Sequence, residues 1–392
     1  MWGAILSAVG ITTILGLIYL FTRFRRFGFV RRIAGDRKWV SRLLGLIPIF
    51  IFVIFSLFNM YNAIIVMLHL IVFWALAEFV TRIVRKLRGK SDAAKGKDNS
   101  EKLEESGASE EDGKPAGKIR PYWLGIGVIL FTAVYLCIGY YLANHIWVTT
   151  YDLTTDKDLG QKTVKAVLFA DSHIGTLFDG EGFAKEMEKI QAENPDIVLI
   201  AGDYVDDSTS KEDMIRSCQA LGELKTTYGI YYVSGNHDRG YFNRRAFSYE
   251  DMVAEFEKNG VTVLQDDVTL VNDSFYIIGR KDKSTKGGRL SMEELVAPLD
   301  REKYMIVLDH QPSDYDAQAA AGVDLVLSGH THGGQLIPIN HVGEWIGAND
   351  RTYGLETRGS TNFVVTSGIA DWAIWFKTGT KSEYVVLNIT GK

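Results

Sequence analysis

Cysteine is almost absent. Cys137 and Cys218 are the only two in 392 residues, and Cys137 sits in an apolar run. A disulfide framework is therefore not expected, and the redox compartment is left open. A basic excess is also missing. The formal net charge of −5 offers no global field for nucleic acid, which is not expected as a partner. At this length two parts are expected.

Other absences are local. Residues 2–21 contain no charged side chain, enough chain to cross a hydrocarbon core of about 30 Å as a helix. No basic residue precedes this run, as a cleavable signal would require, whereas Arg23, Arg25, Arg26, Arg31 and Arg32 follow it. It reads as a retained anchor. Residues 43–80 are apolar over too great a length for one span, and Asn59-Met60-Tyr61-Asn62 suits a hairpin between spans 43–58 and 63–80. Pro48 is tolerable there, and His69 reads as a histidine hydrogen-bonded between helices. Residues 83–120 hold almost no large apolar side chain and read as a disordered loop. A fourth span, 122–145, has Tyr122, Trp123 and Trp147 at interfacial depth. Arginine and lysine crowd the loops after the first and third spans and are missing from the hairpin. This predicts a multi-pass protein of the cell membrane, residues 1–148 forming the transmembrane region and 149–392 an extracytoplasmic domain.

In that second part, apolar runs at 164–170, 197–201, 230–234, 304–309 and 323–328 alternate with helical patterns at 183–192, 212–225 and 249–258. The alternation predicts βαβ units and a largely parallel sheet. Shorter runs at 261–264, 275–279, 363–366 and 383–389 predict a second sheet packed on the first. The expected fold class is α/β, two packed β-sheets flanked by helices.

Each of the five longer runs ends in a polar cluster: Asp171-Ser172-His173, Gly202-Asp203-Tyr204-Val205-Asp206-Asp207, Gly235-Asn236-His237-Asp238, His310, and Gly329-His330-Thr331-His332-Gly333-Gly334-Gln335. Strand ends are where open α/β folds place their sites. Asp171 and His173, at i and i+2, share one face of an extended strand. Asp203 has two oxygens and can bridge two ions, Asn236 offers an amide oxygen, and His310, His330 and His332 offer imidazoles. Seven oxygen and nitrogen donors without a thiolate suit a pair of divalent ions, with manganese the leading expectation and iron or zinc the alternatives. Such a pair clamps a phosphoryl group and acidifies a bound water.

The ordered set D-x-H, G-D-x-x-D, G-N-H-D, H and G-H-x-H resembles the calcineurin-like metallophosphoesterase superfamily over roughly residues 163–389, and its Gly-His-Thr-His-Gly-Gly-Gln form with an apolar N-terminus resembles the membrane-anchored bacterial branch. The resemblance implies one metal on Asp171, His173, Asp203 and His332 and another on Asp203, Asn236, His310 and His330. It implies attack of a metal-bridging hydroxide on phosphorus, with His237 as general acid or transition-state stabiliser, oriented by Asp206. Members acting as protein phosphatases carry arginine directly after the second Asp of G-D-x-x-D. This chain has Asp207 there, which favours a phosphodiester or pyrophosphate over a monoester dianion, with Arg239 and Asn236 as substrate-binding candidates.

Taken singly, each motif reads blandly: Gly-Asp as a turn and helix cap, Asn236 as an Asx turn, His310 as a satisfied loop histidine. Together they do not, because five of the eight histidines fall inside one ordered set. His341 reads as a surface residue and 281–289 as a solvated turn. Trp345 and the Asp371-Trp372-Ala373-Ile374-Trp375-Phe376 run read as core rather than as an apolar lip. The expectation is a membrane-anchored, metal-dependent phosphohydrolase acting on a phosphoester that a lipid can carry. A non-catalytic membrane sensor of phosphoryl ligands or metal is the alternative. Oligomeric state is not legible.

Overall fold

The computed structural model describes residues 2–96, 121–241 and 244–392. Two compact units divide at Cys137 and Ile138.

In the first unit, α1 (Trp2–Phe24), α2 (Gly28–Ala34), α3 (Lys38–Gly45), α4 (Ile47–Phe58) and α5 (Met60–Gly96) follow one another, and α6 (Trp123–Asn144) runs across the division. Among the described residues, Lys38–Phe58, Met60–Arg88 and Trp123–Asn144 are long and apolar enough to cross a membrane, and Val9–Phe24 is a shorter apolar helix. The turn between α4 and α5 is Asn59 alone, whose Oδ1 accepts from Asn62 N at 3.0 Å and caps α5. Helix α5 continues past residue 83, where charge composition predicted a disordered loop to begin. Straight-chain Arg, Lys and Leu at 85–88 are good helix formers and extend it. The rest of that predicted loop, 97–120, lies outside the described residues. His69 Nδ1 lies 2.8 Å from Ile65 O one turn back, so it is satisfied within its own helix rather than between helices. Glu78 of α5 gathers three residues of this unit, meeting Arg23 Nε at 2.6 Å, Arg26 Nη1 at 3.1 Å and the Tyr122 hydroxyl at 3.4 Å.

The second unit is two mixed six-stranded sheets. Its strands are β1 (Ile146–Thr154), β2 (Thr163–Phe169), β3 (Ile197–Ala201), β4 (Ile230–Val233), β5 (Val261–Leu264), β6 (Asp267–Val271), β7 (Phe275–Gly279), β8 (Tyr304–Leu308), β9 (Leu325–Ser328), β10 (Gly354–Arg358), β11 (Thr361–Val365) and β12 (Ser382–Thr390). The first sheet runs β1-β12-β2-β3-β4-β5 and the second β10-β11-β9-β8-β7-β6.

This partition differs from the sequence expectation. The runs at 304–309 and 323–328, assigned to the first sheet, lie in the second, while 261–264 and 383–389 join the first. Strand length does not decide sheet membership; crossovers do. Helix α9 (Tyr249–Lys258) returns the chain to pair β5 parallel to β4, and β12 inserts antiparallel to β2. Helices α7 (Gly180–Ala192) and α8 (Lys211–Gly222) are the other crossovers of this sheet, with Asp179 and Ser210 as N-caps.

Between the sheets lies a dry layer that includes Leu168, Leu199, Val233, Ile277, Leu308 and Leu327. On the outer face of the first sheet, Phe183, Met214, Cys218 and Phe256 from the helices pack against Val167, Val198 and Tyr232. Strands covered on both faces read as continuous apolar runs, and β3, β7 and β8 are buried at every position.

Trp345, and Trp375 of the 371–376 run, are not core as expected, whereas Asp371 and Phe376 of the same run are buried. Trp345 is 71% exposed and Trp375 41%. Trp345 ends the short helix Val342–Trp345 and Trp375 stands in a loop, both outside the two sheets.

Candidate metal centre

The carboxyl ends of β2, β3 and β4 in one sheet face those of β8 and β9 in the other, and the five sequence clusters emerge from these ends. The chain turns sharply at each. Asp171, His173, Asp203, His330 and His332 all have positive φ, between 37° and 72°. Non-glycine residues rarely adopt this conformation, and it marks sites where surrounding structure overrides backbone preference.

Backbone donors fix the carboxylates. Asp203 Oδ1 accepts from His237 N at 2.8 Å, and Asp171 accepts from His330 N at 3.0 and 3.1 Å, which ties the sheets together. Gly235 lies so close that a Cβ there would sit 2.1 Å from Asp203 Oδ1. Only glycine fits.

The remaining donor atoms converge. Asp171, His173 and His332 form one group and Asp203, His310 and His330 a second, the donor atoms of each lying within 4.8 Å of one another. His173 Nε2 is 3.8 Å from Asp203 Oδ2, which joins the groups. His310 Nε2 stands 3.2 Å from both Asp203 Oδ2 and Asn236 Oδ1. The Asn236 amide is oriented because its Nδ2 donates to the Tyr241 hydroxyl at 2.7 Å, leaving the oxygen for the cluster.

The imidazoles share one pattern. Nδ1 of His310 is 2.7 Å from Ala201 O, Nδ1 of His173 is 3.3 Å from Asp206 Oδ2, and Nδ1 of His332 is 3.2 Å from Asp371 Oδ1. Each Nε2 then faces cluster carboxylates. The His310 contact is a hydrogen bond, while the other two are close approaches to a carboxylate without one. An outer acceptor behind an imidazole whose other nitrogen faces the cluster is how protein imidazoles are prepared for a metal.

Electrostatics follow the same division. Burial pushes the Asp203 carboxyl up, but His310, His173 and His237 outweigh it and hold it well below the usual range. Burial drives His332 down to about 3 and His330 down to about 4, the latter also through His310, so both are neutral with free lone pairs near pH 7. For His310, burial is overcome by Asp203, which raises it well above the ordinary imidazole range. With Nδ1 donating to Ala201 O, Nε2 faces two acceptors and requires a proton or a cation between them. Buried His173 Nδ1 and Nε2 have no hydrogen-bond partner. Nitrogen and oxygen donors that face each other without protons to share fit divalent ions.

His237 lies beside this cluster, its ring 4.9 Å from that of His173. Its Nδ1 is 3.8 Å from Asp206 Oδ2, longer than the His173–Asp206 approach, so Asp206 serves both rings and stands nearer His173. Burial lowers His237, but Asp206 and Asp203 outweigh it and raise its pKa.

Three residues outside the expected set complete the site. The buried carboxylate of Asp238 accepts from the backbone of Asp203, Tyr204, Val205 and Gly235 at 2.7–3.0 Å and locks two motif loops together. Asp371, pushed up to about 7 by burial against the pull of Lys377, supports His332. The Trp372 ring lies 5.9 Å from that of His237, tilted by 45°. An available signal was Asp371 and Lys377, charges bracketing an apolar run a few residues after β11.

Two expectations are corrected. Arg239 does not join the cluster: its Nη2 donates to Gln265 Oε1 at 3.0 Å and its guanidinium lies 4.1 Å above the Tyr249 ring, because the turn after Asp238 carries it outward. Residues 281–289 are not merely a solvated turn, since Arg289 Nη1 meets buried Asp309 at 2.8 Å. Asp207 accepts from Tyr241 N at 3.2 Å, so part of its charge is committed to the neighbouring loop.

Two mixed sheets pooling nitrogen and oxygen donors at their strand ends define a metallophosphoesterase domain. Residues 164–334 match the family model of the calcineurin-like phosphoesterases, and this stretch is a domain of that kind. It is similar to an uncharacterized metallophosphoesterase of Campylobacter jejuni, 29% identical over 237 residues, 59% of this chain and 60% of that one. It thus spans less than two thirds of that relative's length. A transmembrane protein with metallophosphoesterase domain from Bos taurus is 26% identical over 240 residues, 57% of this chain and 52% of that one. Among solved structures, a dimetal phosphatase from Danio rerio aligns with TM-score 0.37 and 12% identity over 52% of this chain and 87% of that one.

Proposed function

We propose that this chain is a membrane-anchored phosphoester hydrolase that cleaves a phosphodiester or pyrophosphate with two divalent ions, manganese before iron or zinc. Asp171, His173, Asp203 and His332 would hold one ion and Asp203, Asn236, His310 and His330 the other. The single observation that carries this is the pair of donor groups joined at His173 and Asp203, with His237 at their edge. When bound, the ions supply Lewis acidity, neutralising charge on the phosphoryl oxygens and acidifying the attacking water.

The chain's own groups do the rest. Asp203 and Asp171, pinned by backbone N–H groups, hold their free oxygens in place without reorganisation during reaction. His237, raised by Asp206 and Asp203 against its burial, is the group placed to hydrogen-bond or protonate the leaving oxygen, a contribution on the order of 10²–10⁴ in rate. Asp206 keeps that imidazole oriented. Asp207, in place of a cation, supports a substrate with less charge per phosphorus than a monoester dianion. The arginine-rich loops flanking the apolar helices favour an extracytoplasmic catalytic unit.

Purified full chain in nanodiscs, stripped by chelator and resupplied with Mn²⁺, should hydrolyse bis-p-nitrophenyl phosphate faster than the monoester. Absence of chelator-sensitive turnover of either ester would sink the reading in favour of a sensor.

A further inference from the structure

The rim of the catalytic unit beside α6 is apolar. Ile337, Ile339, Trp345 and Ile346 are 48%, 57%, 71% and 73% exposed, and Trp375 of the adjoining loop also reaches the surface. Hydrogen bonds bind the two loops into one surface. Ile337 N donates to Thr378 Oγ1 at 3.0 Å, and Thr378 N donates to Gln335 O at 2.8 Å. Large apolar side chains exposed in this number, with the His341–Glu344 pair between Ile339 and Trp345, mark a contact surface.

The same segment grips α6. Lys377 N donates to Gly139 O at 3.0 Å, and a Cβ at Gly139 would meet Thr378 Cγ2 at 2.9 Å. Gly139 is five residues before the helix ends at Asn144, or about 7.5 Å back along the axis at about 1.5 Å per residue. The 22-residue helix is about 33 Å long, against a hydrocarbon core of about 30 Å. With the span centred on that core, a loop that holds it at Gly139 lies about 6 Å inside the hydrocarbon edge, in the last turns of the helix. Lys377 there is buried and turned inward, its Nζ donating to Ser367 O at 2.6 Å, and Lys381 of the same loop lies with its Nζ 5.3 Å over the Trp147 ring. Exposed Trp and Ile near that edge match the interface.

Between the helix end and the donor cluster is a cavity of about 280 Å³, with Tyr140, Ala143 and Asn144 on one side and Asp371, Ile374 and Trp375 on the other. Asp371 is also the carboxylate 3.2 Å from His332 Nδ1, so the cavity abuts the metal donors.

We propose that Ile337, Ile339, Trp345, Ile346 and Trp375 dip into the bilayer around α6, and that the cavity admits a phosphoester whose apolar tail stays in the lipid. The substrate half rests on the hydrolase reading; the bilayer contact does not.

The test uses the full chain in phosphatidylethanolamine/phosphatidylglycerol nanodiscs. A nitroxide on Ile346→Cys, in a Cys137→Ser background, should collide with oxygen more than with a water-soluble nickel chelate. Free collision with nickel would overturn the contact, and shielding from both would replace lipid with a protein occupant. A Trp345→Ser, Ile346→Ser variant should lose about tenfold or more in turnover of a diacylglycerol p-nitrophenyl phosphodiester, from weakened interfacial burial, with bis-p-nitrophenyl phosphate unchanged. Equal loss on both esters would overturn entry from the bilayer. If the unaltered chain cleaves neither ester while the label sits in lipid, the hydrolase reading fails and the docking surface stands.

Discussion

Asp238→Asn is the most informative single change in the site, because the structure fixes what it removes. Oδ1 of Asp238 accepts from Tyr204 N at 2.7 Å and Val205 N at 3.0 Å, and Oδ2 accepts from Asp203 N at 2.9 Å and Gly235 N at 2.7 Å. An asparagine keeps one oxygen. Whichever way its amide turns, an NH2 group faces two backbone donors that have no other acceptor nearby. Leaving two buried donors unpaired costs about 1–3 kcal/mol each, so about 2–6 kcal/mol in all. In a unit of this size that lowers the melting temperature by about 2–4 °C per kcal/mol. The strain falls on the Gly202-Asp203 turn and should loosen the metal site. Thermal melting of the full chain in nanodiscs and its metal content after dialysis are the assays. A variant with unchanged melting, metal content and turnover would refute the claim that Asp238 clamps the loops.

His237→Ala should reduce chelator-sensitive turnover on the order of 10²–10⁴ while bound metal is retained, read by elemental analysis beside the rate. Gly235→Ala forces a methyl group against Asp203 Oδ1, so both metal retention and activity should be lost; survival of either contradicts the close approach. Asp206 is held below the usual carboxylate range by His173 and His237 against its burial, and His237 is raised. The Asp206 contribution is present above its unfolded pKa of about 3.9 and lost as pH falls through the lower folded value, whereas that of His237 is present below about 6.5 and lost as pH rises through its folded value. In chelated protein, the stability gap between the wild type and Asp206→Asn should therefore be widest between about pH 4 and 6.5. A gap that widens steadily above pH 7 would contradict this.

Most of the donor set was legible because strand ends, unlike strand positions within a sheet, are marked locally. An apolar run stopping at Gly-Asp or Asn-His-Asp announces its own edge, and seven donors from such edges meet in space. Sheet membership was not legible. It depends on which crossover returns where, and β5 and β12 carry no local sign of joining β2–β4. Asp238 was part of a motif, yet its work is done through backbone N–H groups that sequence does not display. Arg239 was misjudged because charge says nothing about which way a turn points. Trp345 was misjudged because composition cannot separate a covered ring from one on a rim.

The place of β12 has its own consequence. Residues 382–390 slot between β1, which directly follows the membrane helix, and β2, whose end bears Asp171 and His173. Until β12 has been made that gap stays open, so the donors at 171 and 173 hang on a strand with one neighbour missing. Damage to residues 382–390 therefore reaches the donors at 171 and 173 through β2, from a stretch that holds none of the seven donors itself.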